Sequence, residues 1–282
     1  MRDEKEKREK KSRTAPGGRT DAMEKKDFLQ WNEKMFLKYN NIRLYDHPNP
    51  LIRFIERRRV SIITGSVRGP ERIVDVGCGE GYVLSRLKSP TIVGVDVSEA
   101  AVRQAAHASD AVVIRSYAES LPFCDSYFDA AICSEVLEHT INPKKVLEEL
   151  VRVVRPGGRI ILSIPNEPFI NRIKDAVWSL GLFNIIFPNV PRRQDDEWHL
   201  HSFDLLELKR HCAGLVKIER VDSVPLPFLP VRYVAICRNS KSFPAKTDTM
   251  LRKTLPKRDG YLDAMGGGMP DVKGGKRSVG GR

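Results

Sequence analysis

The sequence predicts a doubly wound α/β domain: a mostly parallel seven-stranded sheet, helices on both faces and an antiparallel pair at one edge. Three observations carry this. Short β-branched runs alternate with amphipathic helical stretches through residues 73–164, as βαβ units with right-handed crossovers do. The first run, Ile73-Val74-Asp75-Val76, ends in Gly77-Cys78-Gly79-Glu80-Gly81, whose glycines let the backbone turn sharply and let a ligand approach the main chain. Two more apolar runs, at 215–221 and 231–237, follow a long excursion, as strands that close a sheet antiparallel would.

Taken in order, residues 1–26 alternate Lys/Arg with Glu/Asp around Pro16-Gly17-Gly18 and read as a disordered basic arm, because they bury too little surface to offset chain entropy. The folded domain is expected over 27–240. It opens with a helical cap (27–63): a Phe-, Leu- and Trp-rich helix over 27–38 and an amphipathic one over 50–63. Strands are expected at 73–76, 91–95, 111–114, 130–133 and 159–164, with helices at 82–88, 99–107 and 143–154 between them. Residues 165–201 read as an irregular lid insertion that contains the apolar stretch 175–187. A helix over 204–212 precedes the edge pair, whose strands are separated by Pro225, Pro227 and Pro230. Residues 241–282, rich in Gly, Lys and Arg, read as a disordered tail.

The formal charge of +12 suggests nucleic acid until it is located. The arm carries a net +4 and the tail +6, leaving +2 over 27–240, so the basicity belongs to the ends and not to the fold. The five cysteines (Cys78, Cys124, Cys133, Cys212, Cys237) contain no CxxC pair, which argues against a zinc site or a disulfide framework and for a reducing, cytoplasmic setting. No apolar run approaches a membrane span, and the charged opening residues, with no apolar stretch behind them, are not expected to act as a secretory signal.

The spacing of the loop narrows its ligand. A dinucleotide fingerprint is GxGxxG; here the third glycine comes one position early and Tyr82 stands where that fingerprint wants Gly. A GxGxG loop preceded by Asp75 suits a cationic, phosphate-free ligand whose amino group the acid would hold. Asp96 ends the second strand, where a carboxylate can accept both hydroxyls of a ribose.

Three later segments fall in a matching order: Ala118-Glu119-Ser120-Leu121-Pro122-Phe123, then 128–133 with Glu135-Val136-Leu137-Glu138-His139, then 152–158 ending in Pro156-Gly157-Gly158. With the glycine loop they make 72–166 resemble the class I S-adenosylmethionine-dependent methyltransferases, of Rossmann-like fold, in the branch that includes quinone-biosynthesis enzymes. The resemblance implies that Asp75, Gly77, Gly79 and Gly81 line the methionine end of S-adenosylmethionine and that Asp96 binds its ribose. It places Ala118 and Glu119 near the adenine and Ser134 or Glu135 near the sulfonium. Many relatives have Asp before the Ala-Glu pair; here it is Tyr117.

Methyl transfer from a sulfonium needs alignment first, and a base or metal where the nucleophile must lose a proton. Glu135, Glu138 and His139 are the catalytic candidates. Metal-dependent relatives resemble this array and add a later His, which makes Glu135, Glu138, His139, His199 and His201 candidate Mg²⁺ ligands. In metal-independent relatives the same positions shape the pocket, and His199 and His201 would pin the insertion to the sheet. Glu56-Arg57-Arg58-Arg59 reads as the solvated face of a helix.

The expected function is methyl transfer to O, ahead of N, C or S, of a small and hydrophobic acceptor, with peripheral membrane contact through the basic ends. An RNA or protein acceptor ranks second. A non-catalytic cofactor-binding subunit is a third reading, against which stand the intact glycines and ribose acid. Oligomeric state is not encoded in any recognisable motif.

Overall fold

A computed structural model describes residues 25–39, 44–67, 69, 72–183 and 198–240; the expected basic arm up to residue 24, the tail from 241 and residues 184–197 of the expected lid lie outside the described residues. Seven strands form one sheet: β1 (Arg72–Val76), β2 (Thr91–Asp96), β3 (Val112–Arg115), β4 (Phe128–Ser134), β5 (Val154–Pro165), β6 (Val216–Leu226) and β7 (Leu229–Asn239), in the order β3-β2-β1-β4-β5-β7-β6. The first five are parallel; β7 runs antiparallel to both β5 and β6. The chain leaves β1 toward β3 and then returns to lay β4 on the other side of β1. That reversal opens a crevice at the carboxyl ends of β1 and β4, the place where such sheets bind ligands.

The strands at the reversal are the most deeply buried. Ile73, Val74 and Val76 of β1 and Ala130 through Cys133 of β4 are fully buried, as continuous apolar runs covered on both faces should be. Six helices surround the sheet among the described residues: α1 (Lys25–Tyr39), α2 (Pro50–Ser66), α3 (Glu99–Ala108), α4 (Pro143–Val153), α5 (Glu167–Ser179) and α6 (Leu205–Cys212). Their starts follow local chemistry. Asn49, Ser98, Asn142 and Asp204 each accept a backbone N–H of the first turn, and Pro50 and Pro143 occupy first helical positions, where no amide hydrogen is missed. α4 buries Val146, Leu147, Leu150, Val151 and Val153 at helical spacing, each side chain contributing roughly 1.5–3 kcal/mol. No described helix is long and apolar enough to cross a membrane.

Three features depart from the sequence expectation. The helix expected over 82–88 is only a 3-10 turn at Leu84–Arg86. Few residues separate the glycine loop from β2, and Pro90 disfavours helical backbone at Ser89, so a nucleus too short to propagate gives way. Leu84 there covers Gly94 of β2, where an added Cβ would lie 2.6 Å from Leu84 Cδ1. The insertion expected to be irregular from 165 instead begins with α5, which buries Glu167 and Lys174 and packs on β7. The edge pair is longer than expected, a hairpin closed between Leu226 and Leu229; its prolines are tolerated at the end of the ladder and on the outermost strand.

Candidate cofactor and acceptor site

A cavity of about 350 Å³ lies at the reversal. One half is walled by Val76 at the end of β1 with Gly77 and Gly79 of the glycine loop, by Val95, Asp96 and Val97 at the end of β2, and by Ser116, Ala118 and Glu119 after β3. The other half is walled by Glu135, Val136 and Glu138 to Thr140 after β4, by Pro165 and Ile170, by Trp198 and His199, and by Glu56, Arg59 and Arg232. Phe28, Asn32 and Phe36, four residues apart on α1, close it from above.

The glycines have separate reasons. All three sit at positive φ (Gly77 +74°, Gly79 +54°, Gly81 +84°). A Cβ at Gly77 would collide with Val136 Cγ2 at 2.2 Å, so Gly77 lets the turn after β4 close against the loop. At Gly79 nothing lies within 4 Å, leaving the main chain open on the cavity side. A Cβ at Gly81 would lie 2.8 Å from Ala105 Cα of α3; Gly81 serves packing and does not line the cavity.

Asp96 is fixed by two amides, Gly79 N to Oδ2 and Ser98 N to Oδ1, both 2.9 Å, yet burial holds its carboxyl above the usual range. Asp75 lies behind the wall, 2% exposed, with Oδ2 buried and unpartnered. Burial and the nearby Asp96 push it up to about 7, with Arg59 pulling the other way. An orphaned buried carboxylate beside an open glycine main chain fits the amino end of a cationic ligand, and Asp96 fits a diol. The residues present therefore suit S-adenosylmethionine. Glu119 lines the cavity but spends Oε1 on the amides of Ile141 (3.0 Å) and Asn142 (3.4 Å), bracing the approach to α4. Tyr117, where many relatives have Asp, has its ring 6.2 Å from Phe28 in a stacked orientation.

The acceptor half holds a charge network that the sequence reading missed. Glu56, expected on a solvated face, is 3% exposed; it pairs with Arg59 at 2.9 Å and with Arg232 at 2.8 Å. Despite the cost of burial, the two guanidiniums lower its carboxyl to about 2. Arg59 also donates to Ser134 Oγ, so Ser134 faces α2 and is not among the cavity-lining residues. Arg57 and Arg58 do point outward, as expected. The missed signal was periodicity, since Glu56 falls on the face of Val60 and Ile63.

Glu135 adopts φ +57°, a left-handed backbone uncommon outside glycine, and is held there by Ser163 Oγ (2.7 Å) and by Arg232. Glu138 is 1% exposed with Oε2 unpartnered, and burial with Glu135 and Glu167 nearby holds its carboxyl well above the usual range. His139 Nδ1 lies 3.1 Å from the Trp198 carbonyl, so that nitrogen carries the proton and Nε2 is the acceptor. Burial and neighbouring His199 lower its pKa to about 3.

Of the five residues expected to hold Mg²⁺, the structure gathers three. Glu138, His139 and His199 present ligand atoms within 4.8 Å of one another. Glu135 is turned to Arg232 and Ser163, and His201 Nε2 donates to the Thr140 carbonyl at 2.9 Å. Two imidazoles and one carboxyl form a nitrogen-rich set, whereas Mg²⁺ takes oxygen, so the gathered residues do not support Mg²⁺. His199 Nδ1 bonds Glu167, and Leu200 N bonds the Glu138 carbonyl at 2.8 Å, so the segment after 198 is tied to both α5 and the turn after β4.

Residues 74–162 match a family model described as a methyltransferase domain. Over 128 residues the chain is 33% identical to the tRNA (carboxymethyluridine(34)-5-O)-methyltransferase of Arabidopsis thaliana, covering 43% of this chain and 31% of that protein. Over 132 residues it is 31% identical to the mitochondrial ubiquinone biosynthesis O-methyltransferase of Dictyostelium discoideum, covering 40% and 41%. Over 145 residues it is 32% identical to the demethylmenaquinone methyltransferase of Clavibacter sepedonicus, covering 45% and 57%. The matches thus span from about a third to little over half of these relatives' lengths.

Among solved structures, a chain from the complex between the Haloferax volcanii Trm112 methyltransferase activator and a putative methyltransferase superposes with TM-score 0.53 at 15% identity, covering 76% of this chain and 98% of that one. A SAM-dependent methyltransferase from Aquifex aeolicus gives 0.51 at 18%, covering 71% and 97%. At such identities these show the shared fold. The matched segment holds Asp75, the glycine loop, Asp96 and the turn after β4, and the sheet order agrees with that fold: the chain carries a class I S-adenosylmethionine-dependent methyltransferase domain.

Proposed function

We propose that the chain is an active methyltransferase that methylates an oxygen of a small, apolar acceptor, with His139 as general base. The observation that carries this is the His139 ring. Its Nδ1 proton is committed to the Trp198 carbonyl, which fixes the tautomer and leaves a neutral Nε2 acceptor on a residue that lines the cavity. When bound, S-adenosylmethionine supplies an electrophilic methyl and departs as a neutral thioether, so the leaving group asks nothing of the protein. Asp75, behind the glycine-loop wall, would take the amino end, Asp96 would hold the ribose, and Ala118 and Glu119 would flank the adenine. His139 Nε2 takes the acceptor's hydroxyl proton as its oxygen bonds to the methyl carbon, a step open to a base lowered to about 3 because the hydroxyl becomes strongly acidic as that bond forms. Phe36, Ile170 and Trp198 give the acceptor half its apolar walls. The five free cysteines support a reducing compartment, and cytoplasmic placement is part of the proposal.

The test is methyl transfer to a panel of phenolic and isoprenoid-bearing acceptors, with binding of S-adenosylhomocysteine measured alongside. His139→Ala is expected to lower kcat about 10²- to 10⁴-fold with product affinity unchanged. An unchanged rate would move the base elsewhere. Asp96→Ala is expected to abolish product binding. The tRNA-modifying relative supports a second reading, an RNA acceptor. RNA affinity that falls steeply with salt and survives removal of residues 1–24 and 241–282 would favour it.

A further inference from the structure

Two contacts fix the height of α2 against the sheet. Midway along β5, Arg159 Nη1 donates to the Ser66 carbonyl at 2.9 Å. At its carboxyl end, where Pro165 pairs with Arg232, Arg232 meets Glu56 at 2.8 Å. α2 therefore runs antiparallel to β5, and its first turns rise beyond Arg232 by up to about 9 Å. The β6–β7 hairpin rises from the same end: Leu229, which pairs with Leu226, stands three residues beyond Arg232, about 10 Å. Helix start and hairpin tip thus reach similar height at the edge of the sheet that carries the cavity.

What they expose is unusual for a solvated edge. Residues 225–230, Pro-Leu-Pro-Phe-Leu-Pro, contain no charged or hydrogen-bonding side chain, and Phe228 is 79% exposed with Leu226 at 40%. On α2, Leu51 is 55% and Phe54 50% exposed. Beside them stand the outward arginines Arg57 and Arg58; the acid facing them is Asp46, at 3.7 Å from Arg57 and itself exposed. Apolar tips standing next to cations match the layering of a lipid surface, with acyl chains below and anionic headgroups above.

We propose that this edge is a membrane-docking surface, with the hairpin tip entering the acyl region and Arg57 and Arg58 taking anionic headgroups. Lipid fits better than nucleic acid, because the tip offers aliphatic side chains and a single ring, with no polar group to read a base. Docked this way, the cavity end of the sheet faces the bilayer and an apolar acceptor need not cross water. That consequence rests on the proposed acceptor class; the docking itself does not.

The test is sedimentation of the full chain with phosphatidylcholine vesicles, with and without phosphatidylserine, and S-adenosylhomocysteine titration of every variant to show that it is folded. Binding is expected to be stronger with phosphatidylserine. Leu226→Glu/Phe228→Glu should weaken it about tenfold or more, and Arg57→Glu/Arg58→Glu should cut the gain from phosphatidylserine to what the basic ends alone supply. Vesicle binding by both variants equal to wild type would overturn the proposal, as would no vesicle binding at all. Arginine-dependent binding to tRNA without vesicle binding would assign the face to nucleic acid instead. Failure to bind the homocysteine product while docking persists would count against the proposed function alone.

Discussion

The Asp75 carboxyl sits behind the glycine loop with one oxygen unpartnered, and burial beside Asp96 raises it to about 7. A ligand ammonium placed against that oxygen favours the ionised form, so below pH 7 binding must expel a proton. Affinity for S-adenosylhomocysteine should therefore fall as pH drops from about 7 toward 5, by up to about tenfold per unit, with proton release visible when titrations are repeated in buffers of different ionisation enthalpy. Asp75→Asn should bind more weakly at pH 7 and lose this slope; a retained slope would assign it to another group. The sequence disclosed Asp75, Gly77, Gly79 and Asp96 because each lies at a strand end or turn where backbone geometry dictates the residue type. It hid Glu56, Arg59 and Arg232, because the Glu56–Arg232 ion pair joins residues 176 positions apart and the Glu56–Arg59 pair, three apart on one helix, looks locally like surface charge.

At the scale of elements, α1 reaches the rest of the fold through a carboxylate. Glu33 accepts from the amides of Glu99 (2.9 Å) and Ala100 (3.1 Å), adding to the Ser98 cap a charge where the dipole of α3 is positive. On the same helix Phe28, Asn32 and Phe36 roof the cavity. Such a cap is worth on the order of 1–2 kcal/mol, so Glu33→Ala should speed dissociation of S-adenosylhomocysteine roughly 5- to 30-fold in stopped flow. Glu33→Gln, which keeps an acceptor but no charge, should fall between. Equal off-rates in all three proteins would mean that α1 does not restrain the ligand. The strands were readable from apolar runs, whereas α5 was not: it starts after Asn166 with Pro168 in its first turn and no side-chain cap, and what stabilises it is tertiary, the bond of Asn166 to the Pro230 carbonyl and of Glu167 to His199. The failure at 82–88 is the converse, where local propensity suggested a helix and chain length forbade it.

Across the whole molecule, the sheet order and its reversal at β1 and β4 follow from the order of strands and crossovers, which is why the fold was legible even where single elements were not. Its stability should carry the imprint of two buried carboxyls acting in opposite directions. Glu56, lowered from 4.5 to about 2, contributes stability that is complete above about pH 4.5 and lost as pH falls through 2, some 3 kcal/mol in all. Asp75, raised from 3.8 to about 7, contributes stability that is complete below about pH 4 and lost as pH rises through 7. Other groups titrate in the same range, so the differences between variants isolate these two. In urea unfolding from pH 3 to 8, Glu56→Gln should lose stability most at neutral pH, because Arg59 and Arg232 keep their buried charge, and should narrow its deficit as pH approaches 3. Asp75→Asn should instead gain on wild type as pH rises from 4 to 7. Saturating S-adenosylhomocysteine should erase that gain, since the ligand ammonium gives the ionised Asp75 the partner it lacks. A gain that persists with ligand bound would place the amino group away from Asp75 and reopen the orientation of the cofactor in the cavity.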